Sequence, residues 1–401
     1  MKKLTIILIL VLGFTLPGCS NPAPPAGTPP KTAPEPAGIW QVGANLSYSS
    51  ECIWGNTLVA LETDFTNADP QNGKMPIQNI VAYDLNTREK KQISGPPEGR
   101  IMDTPAIYGN KIVFAAVDAN DYFRFAVSSK IEPSPNYDVF LFDLKTNQIR
   151  QLTTEGHGQM SPRIYDTTVV WLDARNQPLN QYPPPFDIYA FDLGTNQEKR
   201  ITASPTADGN SQISISGNLV VWADIRHADS TVTSHPSNDP KYNNEIYGYD
   251  LASDREQRVT NSPGNDWAPS IDGKSIVWLR QENYLKADVF MYDLDKKLET
   301  QVSHSGFAAT NPSMYHNRII WTDASSSNGN TDNDVVMNGQ LPGSAIVLFD
   351  LSDQKETLLT PTEEGKVWLF PVVQGNHAVF ILSRQVGGLV YAMELPSQPP
   401  P

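Results

Sequence analysis

One short phrase, an apolar stretch closed by Asp-Leu, returns along the chain and constrains its fold more than any other feature. It occupies Ile80 to Leu85, Val139 to Leu144, Ile188 to Leu193, Ile246 to Leu251, Val289 to Leu294 and Ile346 to Leu351. An altered seventh copy, Leu389 to Leu395, has Glu394 in place of the Asp. The acidic residues at 84, 143, 192, 250, 293, 350 and 394 lie 43 to 59 residues apart. A period of that size signals an array of units, none of which buries its apolar face alone. One repeated core can therefore span most of the 401 residues, where length by itself suggests two or three domains.

The stretch from Asp187 to Asp224 shows the grammar of a unit. Ile188 to Leu193 is followed by the turn Gly194-Thr195-Asn196, then by Glu198 to Thr202, then, after a polar loop, by Ser211 to Ser216, the turn Gly217-Asn218 and Leu219 to Trp222. These read as four short strands separated by turn chemistry. The strand from Ile188 is apolar on both faces, as a sheet sandwiched between neighbours requires, whereas Glu198-Lys199-Arg200 has the character of a rim. The 33 Pro and 26 Gly also favour an all-β chain rich in turns over a helical one. Four-stranded sheets repeated radially make a β-propeller.

With the Ser211 to Ser216 strand innermost, the two inner strands occur seven times and the two outer strands six. The last third strand, Gly388 to Leu395, runs straight into a proline tail and is left with an open edge, which is a hazard unless it is covered. A spare strand, Gly38 to Ala44, is available to cover it. The expectation is a seven-bladed ring latched by its own N-terminal strand over residues 39–395, with six blades as the alternative.

The succession Tyr-Asp-Leu, about seven polar residues, Ile/Val-Thr, Pro-x-Ile-x-Gly and Ile-Val-Trp, clearest at Asn244 to Trp278 and Asp187 to Trp222, resembles the repeats of TolB-like (WD40/YVTN-type) propellers. The resemblance implies a fold and not an activity. It does not extend to the α/β domain that TolB carries before its propeller, so TolB's partners are not implied for this chain.

The N-terminus carries Lys2 and Lys3, an apolar run from Leu4 to Leu12, then Leu16-Pro17-Gly18-Cys19. The run is too short to span a bilayer as an ordinary transmembrane helix and reads as an export signal, residues 1–18. Its end resembles the bacterial lipoprotein cleavage box, which implies lipidation of Cys19; an ordinary secretory signal with unmodified Cys19 is the alternative. Residues 19–38 are a Pro-rich tether, about 60 Å long if extended as polyproline II. Residues 396–401 are expected to be a disordered tail. The expected location is extracytoplasmic, lipid-anchored at the outer membrane of a diderm or the cell surface of a monoderm. Cys52 then has no partner, and its apolar surroundings suit a buried, inert thiol.

A formal charge of −14 without clustered Lys and Arg argues against nucleic acid. Long insertions fall between the second and third strands at Asp64 to Gln78, Asp118 to Asn136, Ala174 to Pro185, Ile225 to Asn243 and Asp323 to Gly343, all expected on one face. Long loops on a rigid scaffold are where binding usually resides. The connections into the innermost strands on that face carry His157, Met160, Asp266, Trp267, Phe307 and Trp368, candidate anchors for a protein or peptide partner; packing between blades is the competing role. Asp173, Asp224 and Asp323 each follow a Trp by two places, and with Asp118 they suggest an acidic rim for a cation or a basic partner, or else side chains that end a strand in a turn. Asn328, Asn330, Asp332 and Asp334 have the alternating oxygen ligands of a calcium loop but lack its downstream Glu. No other cofactor or metal is indicated. No nucleophile elbow, zinc helix, phosphate loop or Cys-pair motif occurs. The leading expectation is a non-enzymatic, partner-binding lipoprotein; the alternatives are glycan or small-ligand binding in the channel mouth, and a lyase or hydrolase built from His157, His227, His235 and His304.

Overall fold

In a computed structural model, residues 38–66, 68–69, 75–93, 99–127, 135–177, 186–203, 207, 213–227, 243–283, 286–304, 309–324, 343–361, 366–383 and 388–396 are described. The strands form seven antiparallel sheets. Blade 5 shows the pattern from the axis outward: Asn265–Asp272, Ser275–Asn283, Lys286–Asp293 and Leu298–Gln301. Innermost strands of successive blades pack side by side around the ring, and that of blade 7, Val367–Gln374, meets Ile53–Trp54 of blade 1. In blades 1 and 2 the innermost strand is broken in two. The Asp187 to Asp224 unit straddles two sheets, its first half closing blade 3 and its second opening blade 4.

Blade 7 is completed by the strand Ile39–Ala44, which runs antiparallel to Gly388–Glu394 with Ile39 opposite Met393 and Ala44 opposite Leu389. The seven-bladed ring latched by its N-terminus is therefore the observed architecture. Ile39 is buried, and the Arg88 guanidinium of blade 1 lies 4.6 Å from the Trp40 ring, so the latch is tied to both neighbours of the seam. A bulge at Gln41/Gly43 lets the strand turn into blade 1. A Cβ at Gly43 would meet Leu46 Cδ1 at 2.8 Å.

The Asp-Leu phrase is a turn device. Backbone N–H groups two and three residues on donate to the Asp carboxylate: Asn86 and Thr87 to Asp84, Lys145 and Thr146 to Asp143, Gly194 and Thr195 to Asp192. The following Leu N–H donates to the carbonyl of the neighbouring hairpin, Leu85 to Asn56, Leu144 to Asn110, Leu251 to Asn218 and so on through all seven blades, Leu395 to Asn376 included. The motif thus locks the two tight turns of each blade together on one face. The Asp84, Asp192 and Asp250 carboxyls are held below the usual range, foremost by the N–H groups of Thr87, Thr195 and Ala252.

The recurring Thr serves the opposite end. The hydroxyls of Thr153, Thr202, Thr260 and Ser303 accept the N–H of Val139, Ile188, Ile246 and Val289. Each hydroxyl then donates to a buried carboxylate that opens the third strand, as Thr202 does to Asp187 at 2.7 Å and Thr260 to Glu245 at 2.6 Å. Between the blades, Trp171, Trp222, Trp278 and Trp321 are almost wholly buried. One departure from all-β is the helix Ala119–Val127 inside the blade 2 insertion.

Candidate functional site: the loop face and the channel

All five long connections leave the outward end of a second strand, at Asp64, Asp118, Asp173, Asp224 and Asp323. Hydrogen bonds join both ends of these connections to the segments that enter innermost strands: Ala174 N–H to Gly158 O beside a second-strand end, and Asp266 N–H to Asn244 O and Ser344 N–H to Lys366 O beside third-strand starts. The two families of connection therefore share a face, opposite the tight turns.

Three arginines brace this face. Arg175 chelates Asp173 through Nε and Nη2 at 2.9 and 2.7 Å, reaches Glu198 at 2.8 Å, and lies 4.2 Å over the Tyr189 ring. Arg226 does the same with Asp224, Glu256 and Tyr247. In blade 5 Arg280 comes two positions earlier, at the place of the Asp, and chelates Asp266, Glu299 and the Phe290 face instead. The indole N–H groups of Trp171 and Trp222 donate to Asp173 and Asp224 at 2.9 Å, an acceptor that Trp278 lacks among the described residues.

This geometry corrects the acidic rim. Asp173 and Asp224 have no exposed surface and Asp323 is 9% exposed, so they are not a ring of solvent-facing carboxylates. The first two are internal counterions, and each also accepts the N–H of the arginine that follows it. Asp118 is exposed, but its carboxylate caps the helix by accepting from the N–H groups of Asn120 and Asp121.

The aromatic anchors are corrected too. Trp368 is 2% exposed and packs edge-on against Phe380 and Tyr391, so it cannot reach a partner from the folded chain. Trp267 is half-buried between two inter-blade clusters, and Met160 likewise packs between clusters. Asp266 is fully buried on Arg280. Among the described candidates only His157, at a left-handed φ of 76°, is exposed. Innermost strands pack against two neighbours, which swallows large side chains at their starts. Exposed apolar groups on this face come from elsewhere: Phe65 and Ile77, 44% and 59% exposed, flank the blade 1 insertion. Cys19, Phe307, His235 and the residues from Asn328 to Asp334 lie outside the described residues. His227 faces the Tyr247 hydroxyl at 2.8 Å, and no cluster of three or more metal-ligating side chains occurs among the described residues.

The channel holds features that the repeats did not announce. Glu51 of blade 1 pairs with Arg163 of blade 3 at 2.9 Å and accepts from Ser214 of blade 4 at 2.8 Å, tying three blades together across the axis. Burial lifts the Glu51 carboxyl above its ordinary range against the pull of Arg163. At the tight-turn end, Trp54, Tyr108 and Tyr165 form a run of packed rings, with centroids 3.9 and 4.7 Å apart. In sequence the signal was an aromatic residue immediately before the inner hairpin turn, repeated at Trp54, Tyr108, Tyr165 and Tyr315. On the loop side of the ion pair lies a cavity of about 240 Å³ lined from blades 1, 2, 3, 6 and 7.

No family model and no curated protein matches the chain. Solved propellers do. The β-propeller domain of the trilobed protease from Pyrococcus furiosus is 12% identical over 89% of this chain and 97% of that domain, with a TM-score of 0.56. Acylaminoacyl peptidase from Pyrococcus horikoshii is 12% identical over 89% of this chain and 53% of its own, with a TM-score of 0.57. The chain thus spans about half the length of that peptidase. TolB from Acinetobacter baumannii aligns over 85% of this chain at 13% identity and a TM-score of 0.39. At such identities the first two likenesses show a propeller fold alone. The class defined here is a seven-bladed β-propeller with one loop-bearing face.

Proposed function

We propose that the chain is an exported, lipid-anchored binding module without chemistry of its own, which takes a protein or peptide partner on its loop-bearing face. The observation that carries this reading is that all five long connections leave from the same end of a second strand, beside the exposed pair Phe65 and Ile77. Contiguous exposed apolar surface rimmed by polar residues marks interaction sites, and Phe65 follows Asp64, which pairs with Ile77 across the strands. The peptidase likenesses do not carry an activity across, because the chain matches an isolated propeller domain nearly end to end and a whole peptidase over half its length.

Photo-crosslinking from a probe placed beside Phe65, in cells carrying either the parent chain or Phe65→Ser/Ile77→Ser, tests the partner. A discrete adduct whose yield falls at least tenfold in the double variant is expected; equal adducts from both chains would remove the loop face as the site. The anchor is tested separately by metabolic labelling with a fatty acid. Label is expected on the parent chain and absent from Cys19→Ser, and label retained by that variant would contradict lipidation.

A further inference from the structure

The channel cavity has a chemistry of its own, independent of the loop face. In blades 3, 5, 6 and 7 the innermost strand carries a bulge in which the residue before a proline adopts a left-handed φ: Ser161 at 54°, Ala268 at 52°, Asn311 at 52° and Phe370 at 51°. A residue before proline normally avoids that region, and for a bulky side chain it is a true outlier. Three of the four are small or polar. Phe370 is large, 39% exposed and lines the cavity, while its carbonyl is held by the Tyr48 hydroxyl at 2.9 Å. An apolar ring kept exposed on a strained backbone, inside a concavity, points to a ligand.

The walls define which ligand. The two charged groups that line the cavity are engaged within the chain. Asp103 accepts from Thr104 N–H through one oxygen and from Ser161 N–H and hydroxyl through the other. Arg163 is engaged with Glu51 and the Pro162 carbonyl. What remains is hydroxyl and amide. Asn311 lies on the wall, and the Ser50 hydroxyl is buried there without a hydrogen-bond partner among the described residues. The volume of about 240 Å³ falls below the roughly 300–1,000 Å³ of drug-sized sites, which sets the ligand at a single ring. We infer that the cavity binds one neutral pyranose, free or at the end of a glycan, with an apolar sugar face on Phe370 and hydroxyls toward Asn311 and Ser50.

The test is saturation-transfer NMR and calorimetry on the full chain with glucose, galactose and N-acetylglucosamine, with glucuronic acid and phenylalanine amide as the charged and side-chain alternatives. Saturable binding of at least one neutral sugar is expected, weakened about tenfold or more in Phe370→Ala by loss of the stacking surface. Asn311→Ala, which leaves the blade 7 bulge untouched, should also weaken it and guards against misfolding of the first variant. No saturable binding of any of the three sugars, tighter binding of glucuronic acid or phenylalanine amide, or affinity unchanged in both variants would overturn the inference. A positive result with the free sugar, followed by tenfold or greater competition from an oligosaccharide ending in it, would assign the glycan source; no competition would assign the free sugar.

Discussion

A chain lacking residues 39–44 is expected to lose on the order of 5 kcal/mol of stability and to associate at low micromolar concentration. The loss sums a buried Ile39 at about 2–3 kcal/mol, the ladder of hydrogen bonds to Gly388–Glu394 at roughly 1 kcal/mol each net, and the Arg88–Trp40 contact. Association follows because removal exposes the edge of Gly388–Glu394, a strand four of whose residues are buried. Thermal unfolding followed by light scattering reads both effects. A truncated chain that melts with the parent and stays monomeric would mean that the ring closes without the latch.

Asp224→Ala is expected to destabilise the chain by roughly 3–4 kcal/mol, within the range for removing one partner of a buried ion pair. The substitution leaves the Arg226 guanidinium without its chelating oxygens and strips the acceptor from the indole N–H of Trp222, which is buried between blades. Arg226 keeps Glu256, and its side chain is 29% exposed, which holds the cost below that of a fully enclosed pair. Urea unfolding of Asp224→Ala beside Asp224→Asn measures it, and the Asn variant should recover part of the loss through the Trp222 bond. A loss under about 1 kcal/mol for Asp224→Ala would show that the carboxylate belongs to the surface after all.

The scaffold was legible in the sequence because each part of the repeat does the same local job in every blade. The Asp after Tyr or Phe captures the N–H groups of the next turn, and the Leu beside it reaches the neighbouring hairpin, so the phrase recurs wherever that corner recurs. The spare strand at Ile39–Ala44 was legible as a count of one outer strand too few. The helix Ala119–Val127 was not, since nine residues capped by Asp118 leave little periodicity to read.

The sites were less legible because they are assembled across blades. Glu51, Arg163 and Ser214 are more than a hundred residues apart at their extremes and meet only at the axis. Trp267 looked like a rim aromatic because polar Asn265 and Asp266 precede it, and Trp368 because it follows a connection into an innermost strand. In the ring those positions open innermost strands, which pack on both sides. Asp173 and Asp224 resembled a carboxylate rim for the same reason; the arginine two places on was the clue to their burial, and Arg280 fills the same role from a different register.

Amide hydrogen exchange across residues 39–44 tests most directly whether this chain closes into a ring through its two ends. Segments covering Ile39–Ala44 should be protected and should lose protection together with Gly388–Glu394 as denaturant is raised. Exchange of 39–44 at the rate of an unstructured peptide, while 388–394 stays protected, would contradict the latched propeller.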